Sequence, residues 1–116
     1  LELTLLDLLR YPHARGGFDT IASVIAELGG RVDANRLATL SASFERSVNQ
    51  RLGYLLDRYG HHGGTDALHH AVVQNSLVPW IELDPTQASD RDFRVQPTER
   101  NKRWRVIVRR PPQPDA

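Results

Sequence analysis

Apolar residues that recur at helical spacing are the feature that most constrains the fold of this chain. In the stretch SVNQRLGYLLDRYG, residues 47–60, a helix is predicted whose apolar stripe consists of Val48, Leu52, Leu55, Leu56 and Tyr59. The other predicted helices share this periodicity and cover residues 1–9, residues 18–28, a short segment capped by Asp33 and a segment capped by Thr65. We therefore expect about five helices.

The pattern changes to that of strands after residue 77. The segments VPWIEL (78–83) and WRVIV (104–108) are rich in β-branched and aromatic residues, and the polar, proline-containing segment 86–99 is predicted to be a long loop. We expect the two strands to pair antiparallel. Because a lone two-stranded ribbon is marginal in water, it needs the helices or a third strand from preceding sequence. The predicted fold is α+β, mostly α, with about five helices followed by a small antiparallel β-ribbon.

Length and composition fit one domain that can bury a core without disulfide bonds. We assign residues 1–110 to this domain and residues 111–116, PPQPDA, to a disordered tail. Methionine is absent, also from position 1, and the chain opens directly in a helical pattern. The interpretation is a piece of a longer protein whose N-terminal elements are missing.

A membrane or secreted protein is not predicted. No run approaches the roughly 18 apolar residues of a membrane helix, and the first residues, LELTLLDLLR, lack the basic region and cleavage site of a signal peptide. The chain has no cysteine, which fits a reducing compartment. We expect a cytoplasmic protein.

One glycine interrupts the longest predicted helix. Gly53 lies beside the core residue Leu52, where glycine costs roughly 1 kcal/mol relative to alanine. A missing Cβ lets another element approach closely. We expect Gly53 to permit a tight crossing with the first or second helix.

Basic residues concentrate at the end of the chain and along one side of the same helix. Acidic residues outnumber basic ones up to Pro85, whereas the segment from Arg100 to Arg110 carries six basic residues and no acid. Such a patch indicates an anionic partner surface, or else a strand edge that charges protect against aggregation. The residues that we predict to bind a partner are Arg51, Tyr54, Arg58, Arg103 and Arg105.

Successive side chains of the last strand should point to opposite faces of the sheet. Trp104, Val106 and Val108 should face the core, and Arg103 and Arg105 should remain accessible. On the helix, the alternative for Arg51, Tyr54 and Arg58 is an ordinary solvated face.

Motifs of catalysis are missing from the sequence. It has no G-x-S-x-G, no phosphate-binding loop and no dinucleotide-binding glycine pattern. Four histidines, His61, His62, His69 and His70, leave a zinc site open as an alternative, although the i, i+4 spacing is absent from their helical part. We expect no enzymatic activity and no cofactor.

Several motifs, in a fixed order, resemble a known family. These are TLLDLLRYPHARGGFDTIASVIAEL, then ERSVNQRLGYLLDRYG, VPWIELDP and NKRWRVIV, between Leu3 and Val108. They resemble the C-terminal domain of the AbiEi antitoxins of bacterial type IV, abortive-infection toxin–antitoxin systems. The resemblance implies a non-enzymatic regulator that needs no cofactor and counters a nucleotidyltransferase toxin.

Full-length members of that family also carry an N-terminal winged-helix domain that binds operator DNA. This chain lacks that region, so DNA binding would depend on the missing domain. The alternative function is a nucleic-acid-binding accessory domain that uses the basic C-terminal strand.

Overall fold

A computed structural model describes residues 1–12, 17–60, 64–74, 78–85 and 97–114. The described residues confirm the predicted helices, which are α1 (Glu2–Arg10), α2 (Gly17–Leu28), α3 (Ala34–Ser41), α4 (Arg46–Tyr59) and α5 (Asp66–Val73). Three short strands follow, namely β1 (Ile81–Glu82), β2 (Glu99–Asn101) and β3 (Val106–Val108). No helix in these ranges is long and apolar enough to cross a membrane.

Helix α4 lies at the centre of the molecule. It contacts α1, α2, α5 and β3, and most of its residues are buried. Leu52 and Leu55, which belong to the predicted stripe, are 0 % exposed. Because α4 is covered on several sides, burial extends beyond the stripe that the sequence pattern indicates.

The start of α3 is fixed by two carboxylates. The Asp33 carboxylate accepts hydrogen bonds from the backbone N–H groups of Asn35 and Arg36, at 3.0 and 3.1 Å, which confirms the predicted N-cap. The buried Glu2 carboxylate of α1 accepts from the Asp33 N–H at 3.0 Å and lies 3.3 Å from Arg36. The hydrogen bond from Asp33 holds the pKa of Glu2 below its usual value, against the effect of burial. These contacts join α1 to α3.

The sheet differs from the predicted antiparallel ribbon. It has three strands in the order β1-β3-β2, in which β1 and β3 are parallel and β2 and β3 antiparallel. The backbone N–H groups of Ile81 and Leu83 donate to the carbonyls of Arg105 and Ile107, at 3.0 and 2.9 Å. The prediction that the first and last strands pair antiparallel is therefore wrong.

The length of the connection explains why β1 and β3 are parallel. The chain between these two strands is long and contains β2, so it can reverse direction before β3 begins. Strand β2 takes the antiparallel position through a hairpin with β3. This third strand, residues 99–101, begins at the last residue of the predicted loop and does not come from preceding sequence. Residues 86–96 of that loop lie outside the described ranges.

The end of the chain contacts the helices, although composition predicts a disordered tail. Pro112 is buried, and its carbonyl accepts a hydrogen bond from the Tyr59 hydroxyl at 2.8 Å. The Gln113 N–H donates to the Asp19 carboxylate at 2.9 Å. The proline-rich segment has no regular structure of its own, so these contacts to α2 and α4 hold it in place. Residues 115–116 lie outside the described ranges.

Candidate functional site

The turn between β2 and β3 is seated in the helical core by Trp104. This side chain is 0 % exposed, as the strand alternation predicts, and so are Val106 and Val108. Its indole lies against Gly53 of α4, so closely that a Cβ at Gly53 would overlap three carbon atoms of the ring. The predicted close approach at Gly53 therefore exists, but its partner is Trp104 and not α1 or α2. The flat ring needs the space that any side chain would fill.

Hydrogen bonds also fix the polar groups of Trp104. Its indole Nε1 donates to the Asp57 carboxylate at 2.6 Å, and its backbone N–H donates to the Asn101 side chain at 2.9 Å. Its carbonyl accepts from the Gln50 amide at 2.9 Å. The same amide reaches the Pro79 carbonyl at 3.0 Å, so Gln50 also holds the segment that leads into β1. These contacts determine the position of the turn relative to α4.

Arg103, the neighbour of Trp104, forms ion pairs with one residue of α4 and one residue of α5. Its guanidinium lies 3.1 Å from the Asp57 carboxylate and 2.6 Å from that of Asp66. Its carbonyl is 2.8 Å from Nε2 of His69, which must carry the proton in this contact because a carbonyl only accepts. The His69 ring also meets the Trp104 indole edge to face at 5.1 Å. Arg103 is therefore partly engaged in holding the turn, although it is exposed.

Arg105 completes the turn in an unusual backbone conformation. Its φ angle is +54°, and it is the one residue other than glycine with positive φ among the described residues. A left-handed conformation costs such a residue about 1 kcal/mol or more. The guanidinium lies 5.9 Å from the ring centroid of Trp80, which is 42 % exposed. The fold thus holds a strained residue next to an exposed aromatic side chain.

The predicted binding residues on α4 do not share one accessible face. Tyr54 is only 1 % exposed, and its hydroxyl donates to the Glu99 carboxylate at 2.7 Å. Burial, together with this hydrogen bond, raises the pKa of Tyr54 above its usual value. Arg51 is half-buried and donates to the Glu82 carbonyl at 3.0 Å, whereas Arg58 is exposed. The expected solvent-facing position of Tyr54 is therefore wrong, because the sheet covers this side of α4.

Of the five residues predicted to bind a partner, the structure brings Arg103 and Arg105 together on one turn. Both are exposed, as the alternation predicts. Their role in binding remains a prediction, as does that of Arg51, Tyr54 and Arg58. Trp80 and Lys102, which are exposed near the same turn, were not among the predicted binding residues. The basic segment from Arg100 to Arg110 could have indicated Lys102 as a binding residue. The strand-like pattern around Trp80 does not indicate that its side chain is exposed.

The predicted alternative of a metal site concerns histidines that are only partly described. Among the described residues, no three His, Cys, Asp or Glu side chains lie together so that they could hold a metal ion. His61 and His62 lie outside the described ranges. The ring of His69 is occupied by its contacts to Arg103 and Trp104. The histidine hypothesis therefore stays untested for His61 and His62.

A pocket of about 290 Å³ lies between α3, α4 and α5. Its lining includes Phe44, Arg46 and Asn49. Asn49 is 7 % exposed, and its amide nitrogen donates to the Ser41 carbonyl at 3.0 Å. Its amide oxygen has no hydrogen-bond partner among the described residues. A buried oxygen of this kind normally accepts from a water molecule or a ligand.

The family model of the AbiEi antitoxin C-terminal domain matches residues 2–58, which extend from α1 almost to the end of α4. No curated protein and no solved structure matches the chain. The match includes the motifs TLLDL and RLGYLL but ends before VPWIELDP and NKRWRVIV, so the resemblance of these later segments remains a prediction. Residues 2–58 of this chain are therefore similar to the C-terminal domain of the AbiEi antitoxins.

Proposed function

We propose that this chain is the antitoxin domain of a type IV system, which counters a nucleotidyltransferase toxin and supports operator binding by a longer protein with a winged-helix domain. The observation that carries the proposal is the family match over residues 2–58. In this proposal the domain acts in the cytoplasm as a regulator without enzymatic activity of its own. Its partners are the toxin and, through the winged-helix domain, operator DNA.

A co-expression experiment tests the antitoxin role. The proposed nucleotidyltransferase toxin is induced with and without the chain, and growth is recorded. We expect growth arrest with the toxin alone and recovery with the chain. A variant that breaks the core, Leu55→Asp, serves as the control that should not restore growth, because Leu55 is 0 % exposed. Continued arrest in cells that contain the folded wild-type chain would contradict the proposal.

Operator binding is tested separately with the longer protein. A fluorescently labelled duplex from upstream of the operon should bind the protein with its winged-helix domain and should not bind the present chain alone. Equal binding by both would show that the winged-helix domain is not the part that recognises the operator.

A second candidate function, nucleic-acid binding by the domain itself, is favoured by the exposed basic residues Arg100, Lys102 and Arg105. If these three residues contact phosphates, the logarithm of the affinity should fall by about 2.7 per logarithmic unit of salt. Fluorescence anisotropy with duplex and single-stranded oligonucleotides over a salt series measures this slope. Absent or salt-independent binding would exclude this function.

A further inference from the structure

A single peptide unit near the end of the chain is held from two sides. The carbonyl of Pro112 accepts a hydrogen bond from the Tyr59 hydroxyl at 2.8 Å, and the N–H of Gln113 donates to the Asp19 carboxylate at 2.9 Å. Both groups belong to the same trans peptide unit, so they point in opposite directions. Tyr59 is the last residue of α4, and Asp19 lies in the first turn of α2. We call the site formed by Asp19 and Tyr59 the peptide clamp.

The segment that the peptide clamp holds is PPQP, residues 111–114. Proline has no backbone N–H, and its ring favours an extended polyproline conformation. Gln113 is therefore the only residue of this segment that can donate a backbone hydrogen bond, and its N–H is the one that Asp19 accepts. Pro112 is buried, whereas Pro111 and Gln113 are exposed. The clamp thus contacts both polar groups of one peptide unit and the ring of one proline.

The two helices that form the peptide clamp are fixed independently of this segment. Helices α2 and α4 contact each other, and just beyond their ends the backbones lie so close that a Cβ at Gly29 would overlap the backbone of Gly60. Residues 111–114 have no regular structure. Release of the segment should therefore leave Asp19 and Tyr59 in place.

This arrangement defines a class of ligand. Aromatic side chains that contact proline rings, together with hydrogen bonds to the backbone, are a recurring way to bind proline-rich peptides. The hydrogen bonds at the clamp involve only the backbone of the Pro112–Gln113 unit, so the side chain after the proline does not determine the fit. The residue after the proline must, however, have an N–H. The ligand is therefore an extended segment with a proline followed by any residue other than proline.

The chain presents its own segment of this class to the clamp. Arg109 donates two hydrogen bonds to the Glu82 carboxylate, at 2.9 and 3.2 Å, and so anchors the backbone three residues before Pro112. Such attachment gives residues 111–114 a high effective concentration at the clamp. A segment from another protein must displace them before it can bind.

We infer that the peptide clamp is a binding site for extended, proline-containing segments of a protein partner, and that residues 111–114 are an autoinhibitory strap that occupies it. A partner segment replaces the strap and makes the same two backbone hydrogen bonds. The inference does not depend on the proposed antitoxin function.

The test compares the full chain with its Pro112→Asp variant, in which a charge replaces the buried ring and releases the strap. Each chain, labelled with ¹⁵N, is titrated with the acetylated peptide PPQPDA and followed by NMR. The amide signals around Asp19 and Tyr59 should shift in the variant. Its affinity should exceed that of wild type about tenfold or more, because the strap leaves the wild-type clamp open for only a small fraction of the time.

Matched controls identify the two hydrogen bonds. The peptide PPPPDA lacks the N–H that Asp19 accepts and should not bind. In the Pro112→Asp chain, Tyr59→Phe should weaken binding about fivefold, whereas Tyr11→Phe, at an exposed tyrosine, should not change it. Asp19→Ala should weaken binding at least as much, because its carboxylate is charged. Glu27→Ala, which removes an exposed carboxylate elsewhere on α2, should have no effect.

Three outcomes would overturn the inference. The first is a Pro112→Asp chain that has a folded circular dichroism spectrum but shows no shifts around Asp19 and Tyr59 at millimolar peptide. If this variant does not fold, Pro112→Gly takes its place under the same criterion. The second is equal affinity of the wild-type and released chains, which would show that the segment is not inhibitory. The third is a wild-type dimer in light scattering that Pro112→Asp abolishes, which would make a second copy the occupant.

Discussion

Replacing Gly53 by alanine tests the packing on which the β2–β3 turn depends. The new methyl group would overlap three carbon atoms of the Trp104 indole, which is 0 % exposed. The ring cannot easily withdraw, since its Nε1 and its backbone are hydrogen-bonded to Asp57, Asn101 and Gln50. The variant must therefore strain the core or move the turn.

Two opposing effects determine how far Gly53→Ala lowers the free energy of unfolding. Overpacking a core costs about 1–3 kcal/mol, and the fixed ring places Gly53→Ala toward the upper part of this range. Replacing glycine by alanine inside a helix stabilises the helix by about 1 kcal/mol. We therefore expect the free energy of unfolding to fall by about 1–2 kcal/mol, which corresponds to a melting temperature lower by roughly 5–10 °C.

Urea and thermal unfolding, followed by far-ultraviolet circular dichroism and tryptophan fluorescence, measure this loss. Gly30→Ala is the matched control, since a Cβ at Gly30 has no neighbour within 4 Å and its φ is not positive. This control should be neutral or slightly stabilising. In a Trp104→Leu background, Gly53→Ala should lose most of its cost, because the smaller side chain leaves space for the methyl group. Equal or higher stability of Gly53→Ala in the wild-type background would refute the reasoning.

Three further predictions concern groups whose partners are distant in sequence. The pKa of Glu2 is lowered in the folded state, so its contribution is present above the unfolded value of about 4.3 and is lost as the pH falls; Glu2→Gln should flatten this acid dependence in thermal melts. The pKa of Tyr54 is raised, so its contribution is present below about pH 10 and is lost at higher pH. In Tyr54→Phe the alkaline loss of melting temperature should shrink; an unchanged loss would implicate another group. Tyr59→Phe removes the hydrogen bond to Pro112 and should cost about 1 kcal/mol in urea unfolding, with no further cost in a chain that ends before residue 111.

The sequence by itself determined the helices, the start of α3 and the alternation of the last strand, because the residues responsible are close together in sequence. Helical periodicity predicts α1 to α5 because each helix buries a stripe of its own side chains. Asp33 predicts the start of α3 because a cap acts on the next three residues. Alternation in the last strand correctly predicts a buried Trp104 between an accessible Arg103 and Arg105. The candidate site was thus predicted in part, through the two arginines of one turn.

Tertiary structure decided which elements cover one another. Tyr54 looks like a surface residue in the pattern of α4 and is buried because the sheet packs over it. Trp80 lies in a strand-like segment and is exposed because only Ile81 and Glu82 join the sheet. The polar strand β2 carries no local signal and exists through its hydrogen bonds to β3. The neighbour of Gly53, 51 positions away in sequence, is likewise a tertiary outcome. Periodicity reports that a side chain is buried, whereas its partner and the direction of a strand depend on contacts between distant parts of the chain.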